Sequence, residues 1–285
     1  MRVRLTPEAV ERGYNNRAAV PDHPYWIEQF TARSDAAIAA LRPQLDIRYG
    51  PGSKETLDLF LPAGRARGTL LFIHGGYWRT FDKAVHAFVA PAFVANDFAV
   101  AVANYDLCPQ VTIAEIVDEC RRAVEWLVRE GDARGAPAPL VVAGHSAGGH
   151  LTAMMFATDW RSRGLSASPI AGGVSLSGVH DLTPLVLSSY NVDLRLDDAE
   201  ALRMSPIEHE PRVDAPLVVA VGADETLEFV RQSQLMFDAW PRQRPPDMPA
   251  PLVIADRHHF NVVLDYTDPA SALTRATIAL FGPRT

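Results

Sequence analysis

Residues 139–157 read PLVVAGHSAGGHLTAMMFA, a pattern that predicts a strand, a sharp turn and a helix in direct succession. Ser146 stands at the turn within a Gly-x-Ser-x-Gly pattern, which is the sequence of a nucleophile elbow. The glycines on either side of the serine let the strand and the helix pass closely. The pattern therefore predicts a serine in a strained backbone conformation, exposed at the carboxyl edge of a sheet.

Alternating strand and helix patterns extend on both sides of this turn. Continuous apolar runs predict further buried strands at 70–73, 99–103, 173–177, 216–221 and 251–255. Residues 45–49 and 57–61 alternate in polarity around a Gly-Pro-Gly-Ser turn, which predicts an antiparallel hairpin. Because helical patterns separate most of the later strands, we expect an α/β fold with a mostly parallel eight-stranded sheet and helices on both faces.

The domain organisation follows from the same patterns, and we expect one domain over residues 1–285. Residues 1–44 are predicted to form a helical segment at the periphery. A helix is predicted over 83–95, and the strongest helical pattern covers 112–130 and opens with a capping box. Residues 183–212 interrupt the alternation of strands and helices, and we expect them to form a small cap insertion over the carboxyl edge of the sheet.

The bulk composition is that of a globular protein, with 48% apolar and 21% charged residues. A net charge of −7 argues against nucleic acid and anionic membrane as partners. The first residues lack the apolar region of a signal peptide, and no apolar run approaches the ~20 residues of a membrane span. We therefore expect a cytoplasmic enzyme that acts on a small-molecule substrate, without nucleic-acid or membrane partners and with homodimer formation as an option.

A base for Ser146 is expected after the last strand, because the chain order in folds with this elbow is Ser, acid, His. Two adjacent histidines, His258 and His259, stand there. We favour His259 as the base, since the following Phe260 can anchor the loop in the core. His258 would then line the substrate pocket or hold the loop.

An acid is expected after the strand at 216–221, where Asp224 and Glu225 are adjacent. Its carboxylate would hold the histidine in one tautomer and stabilise the imidazolium that forms during the reaction. The position in the chain does not separate the two residues. The one not used would be a solvated charge, favourable at the start of the helix that follows.

Backbone amides that could stabilise an oxyanion are expected from two loops. One donor is the residue after the nucleophile, Ala147, at the start of a helix. The others should come from residues 74–78, which read HGGYW and directly follow a predicted strand. Gly76 and Tyr77 are the candidates, because the glycines in this loop let the backbone turn inward.

Aromatic and imidazole side chains close to these motifs are candidates for a substrate pocket. They are Trp78, Tyr105, His145, His180 and His258. Arg79 could pair with a substrate carboxylate. The sequence is equally consistent with Arg79 being an ordinary surface arginine after the loop.

No metal or cofactor is expected. His145 and His150 flank the serine, but their spacing does not suit two ligands on one helical face. The cysteines, Cys108 and Cys120, lack the spacing of a metal site. The Gly-x-Gly-x-x-Gly pattern of a dinucleotide site is not matched either.

Several of these segments together resemble the α/β-hydrolase superfamily, on the branch of the hormone-sensitive-lipase-like esterases, and more closely the serine-dependent kynurenine formamidases (arylformamidases). The matching segments are 74–78, 144–151, 228–233 and 259–260, and the resemblance extends from about residue 45 to the C-terminus. The segment around residues 14–17 matches only loosely in type. The family's acid stands three residues before a Glu-Phe pair, a position that Glu225 occupies here and that usually holds Asp. The resemblance therefore favours Glu225 over Asp224.

The resemblance also implies a reaction, namely hydrolysis of an N-formyl or ester acyl group next to an aromatic ring through an acyl-enzyme. A general carboxylesterase uses the same residues and is the alternative. A non-catalytic ligand-binding α/β-hydrolase would show a broken triad, whereas every element is present here. A metal-dependent formamidase would lose its activity to a chelator, and we expect this enzyme to keep it.

Overall fold

The computed structural model describes residues 6–283. Within that range, the strands of the sheet are β1 (Gln44–Arg48), β2 (Thr56–Phe60), β3 (Thr69–Ile73), β4 (Ala99–Ala103), β5 (Leu140–His145), β6 (Gly172–Leu176), β7 (Leu217–Gly222) and β8 (Leu252–Ile254). Their spatial order is β1-β2-β4-β3-β5-β6-β7-β8. The expected hairpin is confirmed, since β1 and β2 pair antiparallel. β2 also pairs antiparallel with β4, and the pairs from β4 to β8 are parallel.

Helices cover both faces of this sheet. In residues 6–283 the α-helices are α1 (Pro7–Tyr14), α2 (Asn16–Ala19), α3 (His23–Leu41), α4 (Ala90–Val94), α5 (Ile113–Glu130), α6 (Ala147–Phe156), α7 (Asn191–Leu194), α8 (Asp198–Arg203), α9 (Leu227–Ala239) and α10 (Ala272–Ala279). The core has a layer on each face, because strands β3, β4 and β5 are buried on both sides. The predicted α/β fold with a mostly parallel eight-stranded sheet is confirmed.

Local chemistry explains where two of the predicted helices begin and how they form. The capping box of α5 is present: Thr112 accepts from the Glu115 amide, and Glu115 accepts from the Thr112 amide at 2.7 Å. The helical pattern at 83–95 instead divides into a 3-10 segment (Lys83–Val89) and α4. Pro91 has no amide hydrogen to donate to the preceding turn, so a continuous α-helix is not formed there.

Residues 183–212 consist of short helical pieces between β6 and β7, among them α7 and α8. They lie against α1, α6 and α9, and their function as a cap stays a prediction. In the described part of the chain, no helix is both long and apolar enough to cross a membrane.

Candidate active site

Ser146 lies between β5 and α6 with φ 58° and ψ −118°, a conformation that costs a non-glycine residue free energy. The strain is imposed by close packing of the strand and the helix. A Cβ atom on Gly148 would lie 2.0 Å from the Ile73 carbonyl oxygen, so only glycine fits at this crossing. The serine is 3% exposed and lies on the wall of a pocket. The strand, turn and helix predicted around this residue are therefore present.

His259 connects the serine to a carboxylate. Its Nε2 lies 3.0 Å from Ser146 Oγ, and its Nδ1 lies 2.6 Å from Glu225 Oε2. A carboxylate cannot donate, so Nδ1 carries the hydrogen and Nε2 is left to accept the serine proton. The Phe229 ring packs against the imidazole at 4.4 Å between centroids and limits its rotation. The geometry is that of a nucleophile, a base and an orienting acid.

The two carboxylates after β7 have different environments. Glu225 is buried, and its Oε1 accepts from the Gly222 amide at 2.9 Å and from the Ser177 hydroxyl. Asp224 is exposed, and its amide donates to the Arg257 carbonyl. The turn therefore presents Glu225 to the histidine and Asp224 to solvent.

The neighbouring histidines also differ. His258 is partly exposed, and its Nδ1 accepts from the amides of Phe260 at 3.2 Å and Asn261 at 3.3 Å. Burial lowers the pKa of His258, which keeps this ring an acceptor. These bonds tighten the loop that carries His259, and His258 does not belong to the pocket lining.

Three backbone amides are available to a negatively charged oxygen. Gly76 has φ +105° and Tyr77 has φ 50° in the loop after β3, while Ala147 begins α6. Within residues 6–283, the amides of these three residues donate to no protein acceptor. Unpartnered amides beside a nucleophile are what an oxyanion hole requires.

Stacked, uncharged rings support the loop after β3 that carries Gly76 and Tyr77. The His74 ring lies between Tyr105, at 4.2 Å, and His86, at 5.5 Å between centroids. Burial lowers the pKa of His74 to about 4 and that of His86 to about 3, where repulsion from His74 adds to the effect. The Tyr105 hydroxyl donates to the His74 carbonyl at 2.9 Å. These residues hold the loop without adding charge beside the serine.

The pocket next to Ser146 encloses about 50 Å³. Its walls consist of Asn16, Arg17, Phe30, Gly75, Gly76, Tyr77, Arg79, Thr80, Phe81, His86, His145, Ser146, Tyr190, His259 and Phe260. Of the candidate pocket side chains, His145 lies here, 4.7 Å from the His259 ring between centroids. Burial, with repulsion from His259, lowers its pKa well below the ordinary value.

Trp78, Tyr105 and His180 are not in the lining, since each is fully buried in the core. Trp78 is fully buried and donates its indole N–H to His150 Nδ1 at 3.2 Å. The hydroxyl of Tyr105 donates to the His74 carbonyl and supports the loop after β3. His180 is fully buried, with its Nε2 3.2 Å from Ser175 Oγ. Arg79 lines the pocket, but its Nε lies 2.6 Å from Asp193 Oδ2.

Sequence reasoning missed seven residues of the pocket lining, which are Asn16, Arg17, Phe30, Thr80, Phe81, His86 and Tyr190. Three of them belong to the N-terminal helical segment, which we expected to be peripheral. The one signal in the sequence that pointed to this segment was the loose similarity around residues 14–17.

The described residues contain no group of three or more His, Cys, Asp or Glu side chains arranged to hold a metal ion.

Comparisons with known proteins agree with this geometry. The BD-FAE family matches residues 57–168. Kynurenine formamidase of Salmo salar is 28% identical over 246 residues, covering 84% of this chain and 82% of the relative. The enzyme of the same name from Danio rerio is 26% identical, covering 87% of this chain and 85% of the relative.

Solved structures show the same fold. A provisionally assigned thioesterase from Silicibacter sp. TM1040 is 33% identical, with a TM-score of 0.84 and coverage of 94% of this chain and 98% of that chain. Esterase B of Lactobacillus rhamnosis shares the fold at 19% identity, with a TM-score of 0.68 and coverage of 94% and 96%.

The sheet order, the elbow and the Ser-His-Glu arrangement define the class as a serine hydrolase of amides or esters. The chain belongs to the α/β-hydrolase superfamily, with kynurenine formamidases and hormone-sensitive-lipase-like esterases as its relatives.

Proposed function

We propose that this enzyme is an arylformamidase that hydrolyses N-formylkynurenine or a similar aryl formamide. Ser146 is the nucleophile, His259 the base and Glu225 the acid that orients it. The observation that carries the proposal is the continuous hydrogen-bonded line from Ser146 Oγ through His259 to Glu225, beside three free amides.

The reaction follows from these positions. Ser146 Oγ attacks the formyl carbon while His259 Nε2 takes the hydroxyl proton, and the amides of Gly76, Tyr77 and Ala147 stabilise the oxyanion. His259 then gives the proton to the departing aryl nitrogen, which leaves as an amine. Water attacks the formyl ester, His259 takes the water proton and returns it to Ser146, and formate is released.

Two observations favour an aryl formamide as substrate. The relatives that match over most of the chain are kynurenine formamidases. The pocket beside Ser146 is small, and aromatic rings line it, among them a stacked Tyr77–Tyr190 pair at 4.3 Å and Phe30. A flat aryl group packs well against such rings, while the small volume suits a short acyl group.

A general carboxylesterase is the second candidate. The triad and the free amides act on an ester in the same way as on a formamide, and the fold is shared with esterase B. The two candidates differ in leaving group, so substrate comparison separates them.

The test is to measure kcat/KM for N-formylkynurenine and p-nitrophenyl acetate in the wild type, Ser146→Ala and the control Ser166→Ala. We expect a preference for N-formylkynurenine of orders of magnitude. Ser146→Ala should lower kcat about 10⁴- to 10⁶-fold on both substrates. Ser166, an exposed serine away from the triad, should leave both rates unchanged. Turnover of the activated ester alone would make this an esterase, and full activity of Ser146→Ala would refute the assigned nucleophile.

A further inference from the structure

Asn16 is a buried polar side chain of the pocket with no partner. It is 4% exposed and lines the cavity that contains Ser146. Neither its Nδ2 nor its Oδ1 accepts or donates a hydrogen bond within residues 6–283. A buried amide without protein partners gives up its hydration unless water or a ligand binds it, so the polar atoms of Asn16 are available to a ligand.

Arg17, next in the chain, is exposed and lines the mouth of the same pocket. It forms no ion pair with a carboxylate of the described residues, whereas Arg79 is paired with Asp193. The pocket lining contains no Asp or Glu. The Glu11 carboxylate on α1 is engaged by the Asn15 side-chain amide at 2.8 Å. One guanidinium at the mouth is therefore free to bind an anion from outside.

The backbone that carries these two side chains is held in place. The Tyr14 carbonyl accepts from the Tyr77 hydroxyl at 2.5 Å, which ties the segment to the oxyanion loop. The Gly13 carbonyl accepts from the Thr226 hydroxyl at 2.6 Å, which ties it to the helix after the triad acid. Asn16 is thus preorganised relative to Ser146, and binding does not have to order this backbone.

Another part of the pocket is apolar and neutral. Phe30 and Phe81 both contact the His86 ring, at 5.8 and 5.7 Å between centroids. Burial keeps His86 uncharged, with a pKa of about 3. The pocket therefore offers a neutral aromatic region together with an amide and a free guanidinium.

We propose that Asn16 and Arg17 form a subsite for a carboxylate carried by the leaving group of the substrate. The Arg17 guanidinium pairs with the carboxylate, Asn16 Nδ2 donates to it, and Asn16 Oδ1 accepts from an N–H of the same group. The ligand class is an amino-acid-like leaving group rather than a plain aryl amine. This inference rests on the proposed hydrolysis of aryl formamides.

The test compares N-formylkynurenine with its carboxamide, in which a neutral amide replaces the carboxylate, by following release of the aryl amine. The quantity of interest is the ratio of the two kcat/KM values. The proteins are the wild type, Arg17→Gln, Arg17→Lys, Asn16→Leu and the control Arg12→Gln. Arg12 is an exposed arginine on α1 that lies outside the pocket lining.

We expect the wild type to prefer the carboxylate by about tenfold or more, the range of a charge-assisted contact at a partly exposed site. Arg17→Gln should remove most of this preference through KM, Arg17→Lys should keep part of it, and Asn16→Leu should lower it severalfold. Arg12→Gln should keep the wild-type ratio. A ratio that is the same in the wild type, Arg17→Gln and Asn16→Leu would overturn the subsite.

Failure of the proposed function would give a different result. If p-nitrophenyl acetate is hydrolysed and neither formamide is, the arylformamidase proposal fails while the subsite can still be measured. Inhibition of ester hydrolysis by kynurenine and by kynurenine amide is then compared. Stronger inhibition by the carboxylate that disappears in Arg17→Gln supports the subsite, and equal inhibition by both compounds rejects it.

Discussion

The active-site pocket has two walls that are built in different ways. The catalytic wall, made of Gly76, Ser146 and His259, stands at the carboxyl ends of strands. The N-terminal wall, made of Asn16 and Arg17, comes from the short helix α2, which precedes the sheet in the chain. Backbone contacts position the first, as the close approach of Gly148 to Ile73 shows. Side-chain hydrogen bonds over long sequence separations, such as the one from Tyr14 to Glu228, position the second.

This difference indicates that the two walls have different roles in the reaction. The catalytic wall holds atoms that must keep their geometry throughout the reaction, and backbone sterics give it that rigidity. The N-terminal wall contacts the parts of a substrate that do not react. Changes in the catalytic wall should therefore act on kcat, while changes in the N-terminal wall should act on KM and on stability.

After loss of the nucleophile itself, the largest effect is expected at Glu225, the acid behind the catalytic wall. Glu225→Gln keeps the shape of the side chain but no longer fixes the tautomer of His259, so kcat should fall about 10³- to 10⁴-fold. Asp224→Asn, at the adjacent exposed position, should leave kcat within about twofold, because a solvated charge contributes little. Steady-state kinetics measures kcat in both variants. An equal loss of kcat in the two would contradict the assignment of Glu225.

The next largest effect on kcat is expected in the loop after β3, residues 74–78, which carries Gly76 and Tyr77. Gly76 has φ +105°, and a Cβ atom there would lie 2.2 Å from the Thr80 carbonyl oxygen. Gly76→Ala should shift the loop and misalign one donor, which lowers kcat about 10²- to 10³-fold. Gly64→Ala is the matched control, since nothing lies within 4 Å of its added methyl group. An unchanged kcat in Gly76→Ala would show that this loop does not contact the reacting oxygen.

The N-terminal wall is tested through Tyr14, whose hydroxyl donates to Glu228 at 2.5 Å and accepts from Gln232 at 2.7 Å. Tyr14→Phe removes both bonds and should cost about 1–3 kcal/mol of unfolding free energy. KM should rise more than kcat falls. Tyr25→Phe, at a residue 52% exposed, controls for the loss of a hydroxyl. Urea unfolding and kinetics report the two effects, and a loss confined to kcat would contradict the separation of the walls.

The smallest effect concerns pH and the neutral His86 beside the catalytic wall. Its folded pKa of about 3 lies below the ordinary value of about 6.5 expected in the unfolded chain. Below pH 6.5 the unfolded chain therefore binds a proton that the folded chain does not, and stability falls as the pH drops. Between pH 7 and 5.5 this amounts to about 1 kcal/mol for one such histidine.

His86→Gln should therefore lose less unfolding free energy than the wild type over that pH interval, by about 1 kcal/mol. Tyr14→Phe should lose as much as the wild type, because it leaves the buried histidines in place. Urea unfolding at the two pH values measures both differences. If His86→Gln shows the wild-type pH dependence, His86 is not the neutral buried group described here.

Local patterns predicted much of the fold and of the catalytic wall. The elbow around Ser146 and the hairpin at 45–61 could be predicted from the sequence, because strand periodicity and glycine sterics act over a few residues. The pocket was predicted less well. Trp78 and His180 looked like pocket side chains, but each finds a hydrogen-bond partner in the core instead. Such pairings depend on where distant elements meet.

The amino-acid sequence alone specified the order of strands and helices, the turn that exposes Ser146 and the loop from which His259 comes, because short-range sterics and apolar periodicity govern these features. The folded chain decided between Asp224 and Glu225, since only the path of the turn after β7 shows which carboxylate reaches the imidazole. It also brought Asn16 and Arg17 to the pocket, through hydrogen bonds between residues more than two hundred positions apart. No local pattern encodes contacts of that range.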